Sequence, residues 1–296
     1  MSFLADVKQE LYKIKEENIC CRKSELYAIL LFSKFFYKTT PSFKAKDSDM
    51  ADLFSFLTSD SFYEYLKKEK EENKEVFTIK GQFEKRKLFA EFGYNENFIN
   101  LGINEYIFEQ PCCISAFLRG VFLVCANISD PSKEYNIVMK VYHKRLASDL
   151  FSVISKIGPY KIKPKMIEKR GYYIISITES SSVEDFLIKI GATNSSMEVM
   201  QQQMIKCERN HINRMNNFDT ANIKKSAKAS ADQLNAIKKI KEKNAFDNLK
   251  DNLKFVAELR TENPDLSLEA LSNLSGIKKA NLHYRLSRLI EISKKL

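Results

Sequence analysis

One helix signature occurs twice in this 296-residue chain, and a duplication constrains the fold more than any single motif. The first copy runs Cys20-Cys21-Arg-Lys-Ser24-Glu-Leu26-Tyr-Ala28, and the second runs Cys112-Cys113-Ile-Ser-Ala116-Phe-Leu118-Arg-Gly120. The offset is 92 residues. In each copy two small residues stand four apart, Ser24 with Ala28 and Ala116 with Gly120, so each helix carries a shallow ridge on one face. Small residues permit close backbone approach, so two such helices can pack against each other at the centre of two similar half-domains.

Hydropathy and turn residues fill in the rest. An amphipathic helix is expected over 2–16, with Ser2 as cap and Phe3, Val7, Leu11 and Ile14 on its apolar face. The first repeat helix spans about 20–37. A short strand over 42–46, helices at 49–57 and 61–69, a solvated charge run at 67–74, a strand at 76–80 and a helix at 84–92 follow. The second half repeats the order more fully: a helix over 112–127, a turn at Asp130-Pro131, a strand over 135–142, a helix over 146–157, a hairpin around Lys169-Arg170-Gly171, and a helix from Ser180–Ser182 to Gly191. Beyond 197 no strand pattern is visible. The fold class is therefore α+β: a duplicated two-half domain over 1–196 (halves about 1–92 and 112–196), a helical linker over 197–219, and an all-α domain over 220–296.

The charge is unevenly placed. The chain carries a net +10, and residues 201–296 hold 19 Lys/Arg against 11 Asp/Glu, while the first 200 residues are nearly balanced. A basic C-terminal third points to a polyanion partner. Four of the six cysteines form two adjacent pairs with no Cys-x-x-Cys spacing, and they read as small buried hydrophobes in a reducing compartment rather than as metal or redox ligands. The longest apolar stretch, Leu26–Phe32, is far too short to span a bilayer, and charges come early in the N-terminus, so a soluble, cytoplasmic protein is expected.

The C-terminal region has the form of a helix-turn-helix. Leu268, Leu271 and Leu274 make the core stripe of a short helix, Gly276 permits a tight turn, and Ile277, Leu282, Leu286 and Leu289 would bury the next helix. The opposite face carries Lys278, Asn281, Arg285 and Arg288, flanked by Lys279, His283 and Tyr284, with no acid between Gly276 and Ile290. Arginine can hold a guanine edge through two bonds, asparagine an adenine edge, and lysine a phosphate. These residues are the expected double-stranded DNA contacts. Asn222, Lys224 and Lys225, in a second polar and basic stretch over 213–225, are expected to join them. No cofactor, metal site or catalytic set is read from the spacing of the three histidines or of the cysteines.

The chain resembles the WhiA family of bacterial DNA-binding proteins. The resemblance rests on Cys112-Cys113 through Phe117-Leu118-Arg119-Gly120 to Ser129-Asp130-Pro131, on Gly191-Ala192 with Asn194, on Asn213-Arg214 through Thr220-Ala221-Asn222, and on His283-Tyr284-Arg285-Leu286. The resemblance implies a degenerate LAGLIDADG homing-endonuclease-like domain followed by a helix-turn-helix domain. It also implies roles in cell division, chromosome segregation, transcription regulation or sporulation, a nucleoid location, and other nucleoid or cell-division proteins as partners. In active homing endonucleases each repeat helix ends in a metal-binding acid. Here the matching positions are Ser33 and Cys125, neither of which can replace a carboxylate as a hard-cation ligand. A non-enzymatic protein is therefore expected, the alternative being a metal-dependent LAGLIDADG-type endonuclease that uses other acids.

Overall fold

Two helices that are apolar on nearly every side must sit at the centre of whatever they build. The computed structural model, which describes residues 2–37, 41–59, 63–71, 74–94, 102–158 and 162–296, places them so. The chain divides into two compact units, Met1–Lys206 and Cys207–Leu296.

The first unit opens with α1 (Phe3–Tyr12), capped by the Ser2 hydroxyl, which accepts from the Ala5 N–H. The first repeat helix is α2 (Ile19–Phe32) and the second is α5 (Pro111–Cys125). They lie against each other through the small-residue ridges. A Cβ built on Gly120 would come within 2.6 Å of the Glu25 carbonyl oxygen and 2.9 Å of the Ala28 Cβ. Glycine at this position is what allows the two backbones to approach so closely. Tyr27 of α2 packs on Phe117 of α5 (ring centroids 5.8 Å apart) and stacks on Phe92, and its hydroxyl accepts from the Asn104 N–H at 2.7 Å.

Each repeat helix is followed by an antiparallel sheet. In the first half β1 (Ser42–Lys44), α3 (Ser48–Thr58), β2 (Leu66–Glu71), β3 (Lys74–Ile79) and α4 (Gln82–Glu91) give strand order β1-β3-β2, with Phe43 opposite Phe77. In the second half β4 (Ala126–Ile128), β5 (Ile137–Val141), α6 (Lys144–Ser155), β6 (Lys165–Lys169), β7 (Tyr172–Ile177) and α7 (Ser180–Ile190) give order β4-β5-β7-β6. Ile137, Met139 and Val141 alternate into the core opposite Ile177, Ile175 and Tyr173. The halves therefore correspond strand for strand, except that β4 has no counterpart among the described residues of the first.

Several local expectations are corrected. α2 stops at Phe32 because Lys34 adopts a left-handed backbone (φ 65°), and only a 3-10 turn occupies 35–37. The helix expected over 61–69 is a 3-10 turn at 63–65 leading into β2; Ser61 and Phe62 lie outside the described residues. In the charge run at 67–74, residues 67–71 belong to β2 and Lys74 begins β3, while Glu72 and Asn73 lie outside the described residues. Strand pairing puts the side chains of 67–71 toward solvent and lets Lys68 meet Glu75 across the ladder at 2.7 Å. The end of the second repeat helix is instead the strand β4. Residues 95–101 of the connector and Lys161 of the hairpin also lie outside the described residues.

α7 ends at Gly191, whose φ of 96° lets the Ala192 N–H return to the Leu187 carbonyl at 2.9 Å. A single helix of 50 residues, α8 (Thr193–Glu242), follows. The stretch 197–219, set apart in the sequence as a linker, lies in its interior. Glu10 of α1 caps its first turn, accepting from the Asn194 and Ser195 N–H groups at 2.7 and 3.0 Å. The second unit holds the remainder of α8 with α9 (Asp251–Glu262), α10 (Leu268–Ser275) and α11 (Lys279–Lys295) around a core of Ile237, Ile240, Val256, Leu271, Leu282, Leu286 and Leu289. Among the described residues no helix is long and apolar enough to cross a membrane.

Candidate nucleic-acid interface

The turn between α10 and α11 follows from its sequence. The Ser267 hydroxyl caps α10 by accepting from the Ala270 N–H at 3.1 Å. Gly276 closes the helix in the left-handed region (φ 68°), and the Ser272 hydroxyl donates to the Ile277 carbonyl at 2.6 Å. Leu271, Leu282, Leu286 and Leu289 are buried as expected. Leu274 is not: it is 59% exposed, because the helix is only two turns long and its last leucine overhangs the core.

Burying that stripe turns the polar face of α11 outward. Asn281, Tyr284, Arg285 and Arg288 line one groove of about 580 Å³ with Asn248, Lys250 and Asn252 at the start of α9. These three residues, at the approach to α9 and in its first turn, were missed from the sequence. The signal was present, since Asn248-Leu-Lys250-Asp-Asn252 gathers four polar residues around one leucine. Tyr284 is 70% exposed, so its ring is available for stacking. Arg288 holds Glu291 at 2.6 Å, one turn on.

The other expected residues lie elsewhere on the unit. Lys278 is exposed at the N-cap of α11, ahead of the helix, and His283 is exposed outside this groove. Lys279 pairs with Glu269 at 2.9 Å and, with Asn222 of α8, lines a second groove of about 750 Å³. Lys224 and Lys225 are exposed on α8 and line neither groove. The structure thus brings Asn281, Tyr284, Arg285 and Arg288 together, brings Lys279 and Asn222 together, and leaves Lys278, His283, Lys224 and Lys225 apart. The exposed pairs Lys279–Glu269 and Arg288–Glu291 are worth about 0–1 kcal/mol each, so exchange of either acid for a phosphate costs little.

In the first unit, the ends of the repeat helices carry no carboxylate. Ser33 caps α2 and its hydroxyl donates to the Leu30 carbonyl at 3.2 Å. Cys125 closes α5 with its thiol donating to the Val121 carbonyl at 3.3 Å, and burial pushes that thiol up to about 12. Lys46 donates to the Val124 carbonyl at 2.8 Å, so an ammonium, not a metal ligand, meets the C-terminal end of α5. Among the described residues, the one group of three or more potential metal ligands is made of thiols, not acids.

Cys21 and Cys113 are buried against Ala116, as the expectation of small core hydrophobes has it, whereas Cys112 of the adjacent pairs is exposed. Cys20, Cys21 and Cys113 place their sulfurs within 4.8 Å of one another, and the Cys21 thiol meets the Cys112 sulfur at 3.2 Å. Cys21 and Cys113 are buried, Cys20 is half-buried and Cys112 is exposed. Burial pushes the Cys20 and Cys21 thiols up. At Cys113 burial acts the same way, but hydrogen bonds from the Gln110 backbone, Cys20, Ser24 and Cys21 outweigh it and hold the thiol below its usual value.

Two family models match the chain. Residues 114–209 match the WhiA LAGLIDADG-like domain, and residues 212–293 match the WhiA C-terminal HTH domain. The chain is 32% identical over 319 residues to the probable cell division protein WhiA of Thermoanaerobacter sp. (strain X514), covering 100% of this chain and 98% of that one. It is 29% identical over 314 residues to the protein of the same name from Caldicellulosiruptor saccharolyticus, covering 100% and 96%. In fold it is similar to the crystal structure of full-length DUF199/WhiA from Thermatoga maritima, with a TM-score of 0.57 at 21% identity over 100% of this chain and 98% of that one. A LAGLIDADG-like α+β domain with paired repeat helices, followed by a helix-turn-helix domain and matched along its whole length by such relatives, makes this chain a member of the WhiA family.

Proposed function

We propose that the protein binds double-stranded DNA through its C-terminal unit, performs no catalysis, and acts in bacterial cell division and chromosome segregation as a transcriptional regulator or nucleoid-associated factor. One observation carries the reading: Asn281, Tyr284, Arg285 and Arg288 line a single groove with Asn248, Lys250 and Asn252. Asn248 ahead of α9, Asn252 within it, Asn281 of α11 and three cations supply the donors and acceptors that base edges and phosphates require. Relatives named as probable cell division proteins support the cellular role. Ser33, Cys125 and the Lys46 ammonium at the ends of the repeat helices support the absence of metal-assisted strand cleavage.

The domain limits that accompany this reading are 1–196 for the LAGLIDADG-like part and 220–296 for the DNA-binding part, with a cytoplasmic, nucleoid-associated location. The test is retention of genomic DNA fragments by the full chain across a salt series, with and without Mg²⁺, followed by sequencing of retained and cut ends. Selective retention that weakens with salt and leaves the DNA intact supports a sequence-reading regulator. Uniform retention favours an architectural role, and Mg²⁺-dependent cut ends overturn the non-catalytic reading in favour of an endonuclease.

A further inference from the structure

Cys20 and Cys112 are the second residues of α2 and α5, and Cys21 and Cys113 are the third. Because the two helices run alongside each other from equivalent starts, the 92-residue repeat delivers four thiols to one place. Cys21 and Cys113 form a small buried cluster with Ala116, Cys20 and Phe108 pack against it, and exposed Cys112 joins through its contact with Cys21. All four are free cysteines. If bulk alone were required here, the cluster would not need four sulfurs, nor would one of them, Cys112, stand exposed beside the buried Cys21.

We propose that Cys20, Cys21, Cys112 and Cys113 bind one thiophilic divalent cation of the Zn²⁺ class, which clamps the N-terminal ends of the two repeat helices. Zinc–thiolate bonds of about 2.3 Å in a tetrahedron set sulfur–sulfur edges near 3.8 Å. The 3.2 Å edge between Cys21 and Cys112 and the triangle of Cys20, Cys21 and Cys113 within 4.8 Å lie either side of that value; Cys112 stands outside the triangle and has to swing inward to complete the shell. Thiolates are soft ligands, and no acid belongs to the group, so Ca²⁺ and Mg²⁺ are excluded on ligand type. The helix N-termini favour the negative charge that four thiolates carry. Exposed Cys112 provides the route of entry that a buried site needs. The clamp lies at the opposite end of the helix pair from Ser33 and Cys125, so it is independent of the position where homing endonucleases hold their hard cation.

The experiment is titration of the reduced, chelator-treated full chain with Co²⁺, read by absorbance. The expected result is one equivalent per chain, giving sulfur-to-cobalt charge transfer in the near ultraviolet and intense visible bands of tetrahedral thiolate coordination, all bleached by Zn²⁺. Cys21→Ser combined with Cys113→Ser should abolish the bands, Cys112→Ser should weaken and shift them, and Cys207→Ser on exposed α8 should leave them intact. Zn²⁺ in excess should also raise the thermal midpoint of the wild-type chain. Absence of thiolate bands in the wild-type protein overturns the proposal whatever the variants do. So does their persistence in the Cys21/Cys113 double variant, or oxidation of Cys21 and Cys112 to a disulfide in the presence of stoichiometric Zn²⁺.

Discussion

Arg119 Nε lies 3.1 Å from Glu25 Oε1 with both side chains buried, so an ion pair crosses the interface between the two repeat helices. The Arg119 guanidinium also reaches Glu16 and donates to the Ile190 carbonyl at 3.3 Å, while neither Glu25 oxygen makes an aligned hydrogen bond. Glu25 is therefore the weakly held member. Burial pushes its carboxyl up to about 7, with Arg119 opposing the rise and Glu16 adding to it. Between its ordinary value of 4.5 and 7 the folded chain keeps a proton that the unfolded chain has released. Stability from this group is thus complete below about pH 4.5 and is lost as pH rises through 7, a total of about 3 kcal/mol at most. Urea unfolding from pH 5 to 8 should show this slope in the wild type and a flatter one in Glu25→Gln. Arg119→Met should cost about 3–5 kcal/mol at pH 8, where Glu25 is charged, and less at pH 5. Equal costs at both pH values would falsify the assignment.

Gly120 sets the distance between the same helices. Its alanine variant would press a methyl group against the Glu25 carbonyl, a backbone atom that cannot rotate away. Gly120→Ala should destabilise the first unit by about 1–3 kcal/mol through overpacking. Gly158→Ala meets nothing within 4 Å and should change the urea midpoint little. Indistinguishable midpoints for the two variants would mean the interface can open without cost.

The small-residue ridge at Gly120 and Ala28 was legible because it was written twice, and a 92-residue offset left one way to satisfy both copies. Local structure in the first half was less so. Alternating Lys and Glu at 67–71 has no apolar face, and only pairing with β3 reveals it as an edge strand. The continuity of α8 left a trace, since no Gly or Pro interrupts 193–242, but its low apolar content between 205 and 225 hid one helix behind two patterns. In the helix-turn-helix, Leu282, Leu286 and Leu289 were readable from periodicity. The groove was not, because Lys250 reaches the α11 face from thirty-five residues earlier than Arg285.

That groove separates base reading from charge. Arg285→Ala should cost about 1–3 kcal/mol and relax specificity, whereas Lys278→Ala, at the exposed N-cap, should weaken all sequences alike and make the salt dependence shallower by about one. Lys250→Ala should behave as Lys278→Ala does, because an ammonium neutralises a phosphate without the fork that reads guanine. Salt-series binding to a selected site and to a scrambled one distinguishes the cases. Loss on both sequences in equal measure for Arg285→Ala would reassign that side chain to the backbone.

Arg260 holds the second unit together from inside. Its guanidinium donates to Gln233 Oε1 at 2.9 Å, to the Leu266 carbonyl at 2.7 Å and to the Asn263 carbonyl at 3.4 Å, joining α8, the end of α9 and the segment that enters α10. Only 3% of the residue is exposed, and burial lowers its affinity for the proton. Arg260→Met removes three hydrogen bonds and leaves the buried Gln233 amide oxygen and the part-buried Asn263 and Leu266 carbonyls without this partner. The expected loss is about 3 kcal/mol, at the upper end for hydrogen bonds to a charged group. Arg260→Lys should recover little, because a point charge cannot span a side-chain amide and a backbone carbonyl as the planar fork does. Native-state hydrogen exchange localises the effect: protection should fall in α9, α10 and α11 while α2 and α5 keep theirs, because Arg260 is bonded within the second unit. Since Leu266 immediately precedes the Ser267 cap of α10, the same variant should loosen the helix-turn-helix and weaken DNA binding without any change to a side chain in the groove.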